Sequence, residues 1–365
     1  MTKKGSNSNK CITIKIGSNV LTRNDGMLDT DRISHITDQI AFLHNKGYKI
    51  VLVSSGAVAS GRTMIKFPFK LDPVSERQLL SAVGQVKLLT TYSKMFERHN
   101  LTSSQVLVTK EDFRTRRHYL NMKNCISVLL NNNIIPIVNE NDAVSVTALM
   151  FTDNDELAGL TASMMDSDQL FILSNVDGIY TGDPNNKESQ LIEEVDHSTH
   201  NLKKWIVTQK SNFGRGGMVT KSRIAKKTAA AGITVRIANG TAKNIITSLT
   251  LEPEKTKHTR FIPAAPSRSI KKWIAYSEEF TQFEVTINEG ANEALHSKKA
   301  NSLLLAGITN INGNFKKGDL IKIKNHNNEL IGIGKTQYDK ETAESHINDK
   351  KYKPLVHYDY LFLYP

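Results

Sequence analysis

Cys11-Ile12-Thr13-Ile14-Lys15-Ile16-Gly17-Ser18-Asn19 decides the fold class. Cys11 to Ile16 is a short apolar strand, and Gly17-Ser18-Asn19 ends it in a turn. β-Branched residues suit a pleated, half-buried surface, and glycine lets the chain turn sharply at the strand end. The same unit recurs downstream. Lys49 to Val53 runs into Ser54-Ser55-Gly56, Ile134 to Val138 ends in Asn139-Glu140-Asn141-Asp142, and Gln169 to Leu173 ends at Ser174-Asn175. Gln105 to Val108 and Thr234 to Ile237 read as further strands.

Between these strands, apolar residues recur at helical spacing. One set is Ile33, Ile36, Ile40 and Leu43, with Gly47 placed to cap the helix; another is Leu79, Leu80, Val83 and Val86. Further helices are expected over Tyr119 to Leu130, after Asp153-Asn154-Asp155, and from about Thr220 to Ala231. This alternation predicts an α/β, three-layer αβα sandwich with a mainly parallel open sheet. Pro136 inside its strand predicts an edge or strand-start position. Ligands of such sheets bind outside the carboxyl ends of the strands, so the polar turns are where chemistry is expected.

Leu251 to Lys272 changes character, with Pro253, Pro263, Pro266 and many basic residues. The expected division is an α/β domain over 1–252, a linker over 253–275, and a small mostly-β barrel domain over 276–365. Short strands such as Phe283 to Ile287 and Leu320 to Ile323, separated by Asn-Gly and Lys-Gly-Asp turns, carry the last assignment. A length of 365 residues is natural for two cores. The polar N-terminus lacks the apolar core of a signal peptide, and no run approaches a membrane span. Cys11 and Cys125 are the two cysteines, so a reducing cytoplasm is expected and no disulfide framework. The net charge of +12 points to an anionic partner. Residues 276–365 hold 11 Lys or Arg against 12 Asp or Glu, so the whole basic excess lies before them.

There is no Walker-type phosphate loop, no Gly-x-Gly-x-x-Gly and no Cys/His cluster at zinc spacing. A phosphate site must therefore be built from other parts. Lys15 can aim an ammonium at a phosphate beside a glycine turn, although a lysine in a strand is more commonly an edge residue reaching water. Ser54-Ser55-Gly56-Ala57 can donate to an anion or simply cap a helix. Asn139 to Asp142 suits a zwitterion, since carboxylate pairs with ammonium and carboxamide donates to carboxylate; a solvated turn explains it equally well. Asp153-Asn154-Asp155 opens a helix, where capping needs one of the three residues. Gly214-Arg215-Gly216-Gly217 precedes Lys221 in a helix's first turn, where a cation opposes the helix dipole, so function accounts for it better than structure. Together, two lysines with an aspartate suit phosphoryl transfer without a covalent intermediate. A carboxylate acceptor, with a pKa of about 4.3, is already ionised at neutral pH and needs no general base. The difficulty is bringing two anions together, which cations address.

The order of these motifs resembles the amino acid kinase family, most closely its members that phosphorylate glutamate. The likeness spans nearly the whole chain. It rests on Lys15-Ile16-Gly17-Ser18, Ser55-Gly56-Ala57, Ser81-Ala82-Val83-Gly84-Gln85, Asn139 through Val144, Asp153-Asn154-Asp155, and Gly216-Gly217-Met218 with Thr220-Lys221. Glu289-Gly290-Ala291 and Gly313-Asn314-Phe315 resemble a PUA domain. The resemblance implies ATP-dependent phosphorylation of the γ-carboxylate of L-glutamate to L-glutamyl 5-phosphate, the opening step of proline synthesis. It also implies magnesium, feedback inhibition by proline, and a homo-oligomer, dimer or tetramer, in the cytoplasm. Carried over by motif, Lys15 and Lys221 stabilise the transferring group and Asp155 holds them. Ser55, Asn139, Asp142, Asp153 and Asn154 contact glutamate. Lys15, Ser174, Asn175, Arg215, Gly216, Gly217, Met218, Val219, Thr220 and Lys221 line the ATP site, and no residue is implied as a metal ligand.

Three positions depart from the family pattern. Ser174-Asn175 stands where Thr-Asp is usual, which removes a charge; Asn19 replaces a serine; and Thr152 stands where a glycine often precedes Asp-Asn-Asp. The alternatives are a sibling kinase acting on aspartate, acetylglutamate, carbamate or UMP, and an RNA-binding protein acting through the PUA-like domain. RNA contact needs clustered Lys and Arg, and the net −1 of residues 276–365 argues against it.

Overall fold

The computed structural model describes residues 10–65, 71–145, 153–196, 217–265, 269–297, 301–347, 349 and 352–364. Contacts divide the chain into two compact units, Met1–Ala264 and Ala265–Pro365. The first unit holds strands β1 (Cys11–Ile16), β2 (Lys49–Ser54), β3 (Thr102–Val108), β4 (Ile134–Glu140), β5 (Gln169–Ser174), β6 (Ile179–Tyr180), β7 (Leu191–Ile192), β8 (Glu194–Asp196), β9 (Thr234–Asn239) and β10 (Thr259–Ile262). Its helices are α1 (Ser18–Leu21), α2 (Thr30–Asn45), α3 (Ala57–Arg62), α4 (Pro73–Glu97), α5 (Arg116–Asn131), α6 (Asn154–Met164), α7 (Met218–Ala230) and α8 (Ile245–Leu251).

Eight strands form one sheet in the order β3-β4-β2-β1-β5-β9-β10-β8. Pairing is parallel from β3 through β9, antiparallel between β9 and β10, and parallel between β10 and β8. Ile12, Ile14 and Ile16 of β1 face one side, packed with Ile50, Leu52, Ile135, Ile137, Phe171 and Leu173 beneath apolar residues of α2, α4 and α8. At about 1.5–3 kcal/mol for each fully buried side chain, this row alone anchors β1 firmly in the middle of the sheet. Side chains alternate along a strand, so Thr13 and Lys15 take the opposite face, against which α6 packs. There Thr13 Oγ1 lies 2.8 Å from Ser167 Oγ. The alternation that buries the isoleucines is thus what delivers Lys15 to the side of the sheet where α6 lies.

Two sequence expectations need correction. β4, with Pro136, is not an edge strand: it lies between β3 and β2. Its pairing with β2 begins at Ile137, one residue beyond the proline, so Pro136 lies near the strand start on that side. The 253–275 stretch, expected to be a linker, contains β10, which pairs with both β9 and β8. Thr259 and Phe261 are fully buried there, and Pro263 falls just past the last paired residue, where no ladder N–H is lost.

The second unit begins with α9 (Ser269–Ala275) and continues through β11 (Phe283–Ile287), α10 (Glu289–His296), β12 (Ile308–Asn312), β13 (Leu320–Lys324), β14 (Leu330–Thr336), α11 (Lys340–Ser345) and β15 (Val356–Leu363). Its sheet runs β12-β11-β13-β14-β15, with β11 and β13 parallel and the other pairs antiparallel. Val285, Ile287, Phe315, Ile321, Ile323 and Leu355 are buried at its centre.

Candidate active site

The strand ends β1, β2, β4 and β5 open on a cleft of about 1320 Å³. At its floor Asp155, fully buried in the first turn of α6, lies between two ammonium groups. Lys15 Nζ is 2.5 Å from Asp155 Oδ1 and Lys221 Nζ is 2.8 Å from Oδ2. The local sequence explains the placement. Asp153 is the N-cap of α6, its Oδ1 accepting from the backbone N–H groups of Asp155 (2.8 Å) and Glu156 (3.1 Å). A carboxylate in the following turn is favoured by the helix dipole. Burial by itself would raise the Asp155 carboxyl, but Lys15 and Lys221 outweigh it and hold the group at about 2. Desolvation likewise works to lower Lys221, and Asp155 overcomes it, so the ammonium is strengthened. The trio carries a net charge of +1 facing the cleft. Asp153 differs: burial first, then the charge of Asp155, push it up to about 6, and its Oδ2 has no partner.

The wall beside this trio is a chain of amides. Asn154 Nδ2 donates to Ser54 O (2.9 Å), Ser55 Oγ (3.0 Å) and Asn139 Oδ1 (3.0 Å). Asn139 Nδ2 donates to Gln85 Oε1 at 2.8 Å. Ser55 Oγ therefore accepts from Asn154 and keeps its own O–H to give elsewhere. Arg77 bonds Asp142 Oδ1 through Nε at 3.0 Å and also through Nη2, which reaches Glu140 Oε2 at 3.4 Å. Gly56, at φ +105°, makes the turn from β2 into α3 in a conformation that other residues rarely adopt.

On the other side, Ser174 Oγ donates to the adjacent Asn175 Oδ1 at 3.4 Å, while Gly17 N–H donates to Leu173 O at 3.1 Å and fastens the end of β1 to β5. A Cβ on Gly17 would stand 3.1 Å from that carbonyl and 3.5 Å from Lys15 Nζ, so the bare backbone keeps the turn close to the lysine. Gly217 is the N-cap of α7 and offers no side-chain cap, which leaves first-turn N–H groups for an anion.

The structure brings Lys15, Asp155 and Lys221 into contact, and Ser55, Asn139, Asp142, Asp153, Asn154, Ser174, Asn175, Gly217 and Met218 line the same cleft. Val219 and Thr220 do not line it, and Val219 is exposed. A helical turn of 3.6 residues brings position 221 back beneath 217 and 218 while 219 and 220 rotate away. Arg215 and Gly216 lie outside the described residues. Arg77 and Gln85 were not singled out as site residues from sequence. Their signal was a polar stripe, Arg77, Ser81 and Gln85, at four-residue spacing on a helix otherwise read for its apolar face.

Two lysines bridged by a buried carboxylate beside the strand ends of an open, mostly parallel sheet can neutralise a bound anion. The amino acid kinase family model matches residues 10–239, and the PUA domain model matches residues 283–354. The protein named Glutamate 5-kinase from Bacteroides thetaiotaomicron is 53% identical over 353 residues, covering 96% of this chain and 98% of its own. The protein of the same name from Chlorobaculum tepidum is 46% identical, covering 97% of each chain. A solved carbamate kinase from Giardia lamblia shares the fold, with a TM-score of 0.50 at 20% identity over 70% of this chain and 99% of its own. The chain belongs to the amino acid kinase family, and it carries a PUA domain after its kinase domain.

Proposed function

We infer that this chain transfers the γ-phosphoryl group of ATP to the side-chain carboxylate of L-glutamate, forming L-glutamyl 5-phosphate for proline synthesis. The observation that carries the chemistry is Asp155 held between Lys15 and Lys221; the acceptor is supported by the shared name of relatives that match over nearly their whole length. Both reactants are anions. The two ammonium groups neutralise the phosphoryl oxygens as the acceptor carboxylate approaches, and Asp155 pairs with both lysines and fixes their spacing. Asp155 is not a base, because the acceptor is already ionised. Ser55 directs its O–H to a substrate carboxylate, Asp142 takes the substrate ammonium, and Asn139 and Asn154 shape the wall between them. Ser174, Asn175 and the α7 N-terminus hold the nucleotide.

Magnesium fits as a cation carried on ATP. Among the described residues no three His, Cys, Asp or Glu side chains cluster to hold a metal, but a nucleotide-borne Mg²⁺ needs only one or two protein oxygens, and Asp153 Oδ2 is an unpartnered one on the cleft wall. When bound, it would neutralise phosphate charge. The same reading includes proline as a feedback inhibitor, a homo-oligomer and a cytoplasmic location. Among the described residues no helix is long and apolar enough to cross a membrane.

The test is coupled ADP release with ATP and magnesium, offering glutamate, aspartate, acetylglutamate, carbamate and UMP in turn, with and without proline. Turnover with glutamate, suppressed by proline, is expected. Turnover with a sibling acceptor and none with glutamate overturns the assignment.

A further inference from the structure

The motif Ser81-Ala82-Val83-Gly84-Gln85 has no role in the chemistry above, yet it belongs to the helix that lies along the acceptor wall. α4 presses tightly on α3. A Cβ on Gly84 would meet Ala57 O at 1.8 Å, and one on Gly61 would meet Leu80 O at 2.1 Å. This contact brings one stripe of α4 to the end of β4. At its start, Arg77 spans Asp142 and Glu140; two turns on, Gln85 accepts from Asn139.

We propose that Arg77 is a positioning residue that sets Asp142 for the substrate's ammonium group, with Gln85 fixing the neighbouring Asn139 amide from the same helix face. The proposal rests on the reading that the acceptor is glutamate.

Four observations carry it. Asp142 and Glu140 are buried, 9% and 4% exposed, and buried carboxylates are costly without a cation beside them; Arg77 places its guanidinium against both. Both Arg77 bonds to Asp142 fall on Oδ1, so Oδ2 remains to accept from another donor. Arg77's fork reaches two carboxylates at once, which the point charge of a lysine does less well. Gln85 Oε1 commits Asn139 Nδ2, so Asn139 Oδ1 turns to Asn154 and to the backbone N–H of Glu140 (2.9 Å). That bond holds the backbone between the amide and the carboxylates.

The consequence is selectivity for an amino dicarboxylate over a plain one, and it can be read separately from catalysis. Steady-state kinetics of the full chain would give KM for glutamate and for ATP, kcat, and the inhibition constant of glutarate, which lacks the amino group. In Arg77→Met the KM for glutamate is expected to rise about tenfold or more, while KM for ATP, kcat and the glutarate constant move by about threefold or less. Arg77→Lys recovers part of the loss. Arg77→Gln, which keeps a polar stem without charge, behaves like Arg77→Met and serves if the methionine variant folds poorly. An unchanged KM for glutamate, or a parallel weakening of glutarate and ATP, overturns the proposal. A wild-type chain inert toward glutamate instead overturns the reading of the reaction.

Discussion

Asp155→Asn isolates the charge at the centre of the site while keeping the side-chain shape. Wild-type Asp155 is fully buried, with ammonium groups at 2.5 and 2.8 Å. At an effective dielectric constant of about 20, each contact is a gross attraction of about 6 kcal/mol, most of it offset by desolvation. Removing one member of such a buried set costs about 3–5 kcal/mol, because the lysines remain buried without their partner. For a domain of this size that is a fall in Tm of about 6–20 °C. The sign with pH follows from the depressed carboxyl, at about 2 in the fold against an ordinary 3.8. Its stabilising contribution is present above about pH 4 and fades as pH falls toward 2. ATP phosphates replace the lost negative charge, so saturating ATP should narrow the Tm gap between variant and wild type. Turnover should fall by about 10²-fold or more, since the lysines lose the carboxylate that sets their spacing. The measurements are differential scanning fluorimetry with and without ATP, and steady-state kinetics. A variant that melts with wild type and keeps its kcat would refute the claim that Asp155 organises the lysine pair.

Other perturbations separate the remaining roles. Lys221→Ala should lower kcat by about 10²–10⁴-fold with KM for glutamate within about threefold, because the contact matters chiefly in the transition state; an unchanged turnover number removes Lys221 from the mechanism. Asp153→Asn should raise stability by about 1–3 kcal/mol above pH 6, where the wild-type carboxylate, raised to about 6, is charged and costly, and the gain should vanish as pH falls toward 4; the same variant should lose turnover, and thermal melts across pH decide the first part. Gly84→Ala should destabilise the fold by about 3 kcal/mol or more, since its Cβ would overlap the Ala57 carbonyl; a denaturation midpoint equal to wild type contradicts the close contact of α3 and α4.

Local sequence determined the alternation of strands and helices, because apolar period and turn chemistry act over a few residues. It also determined the polar turns at the strand ends and Asp153 as a cap. Lys15 and Lys221 were legible as candidates, since an ammonium in an apolar strand and another at a helix N-terminus are each unfavourable without a partner. Their bridging by Asp155 was not readable from periodicity, because it joins residues 66 and 140 positions away across two helices and a strand. Nor was strand order: Pro136 suggested an edge or a strand start, and β4 is internal with its β2 pairing beginning just past the proline, because register decides which N–H the ladder needs. β10 hid in a proline-rich stretch because burial of Thr259 and Phe261 depends on β8 and β9 flanking it. Arg77 and Gln85 became part of the site only when two glycines let α4 close on α3. The lysines that the first strand and the seventh helix announce are local facts; the carboxylate that binds them into one charged unit is a property of the fold, because only packing puts distant residues within 3 Å.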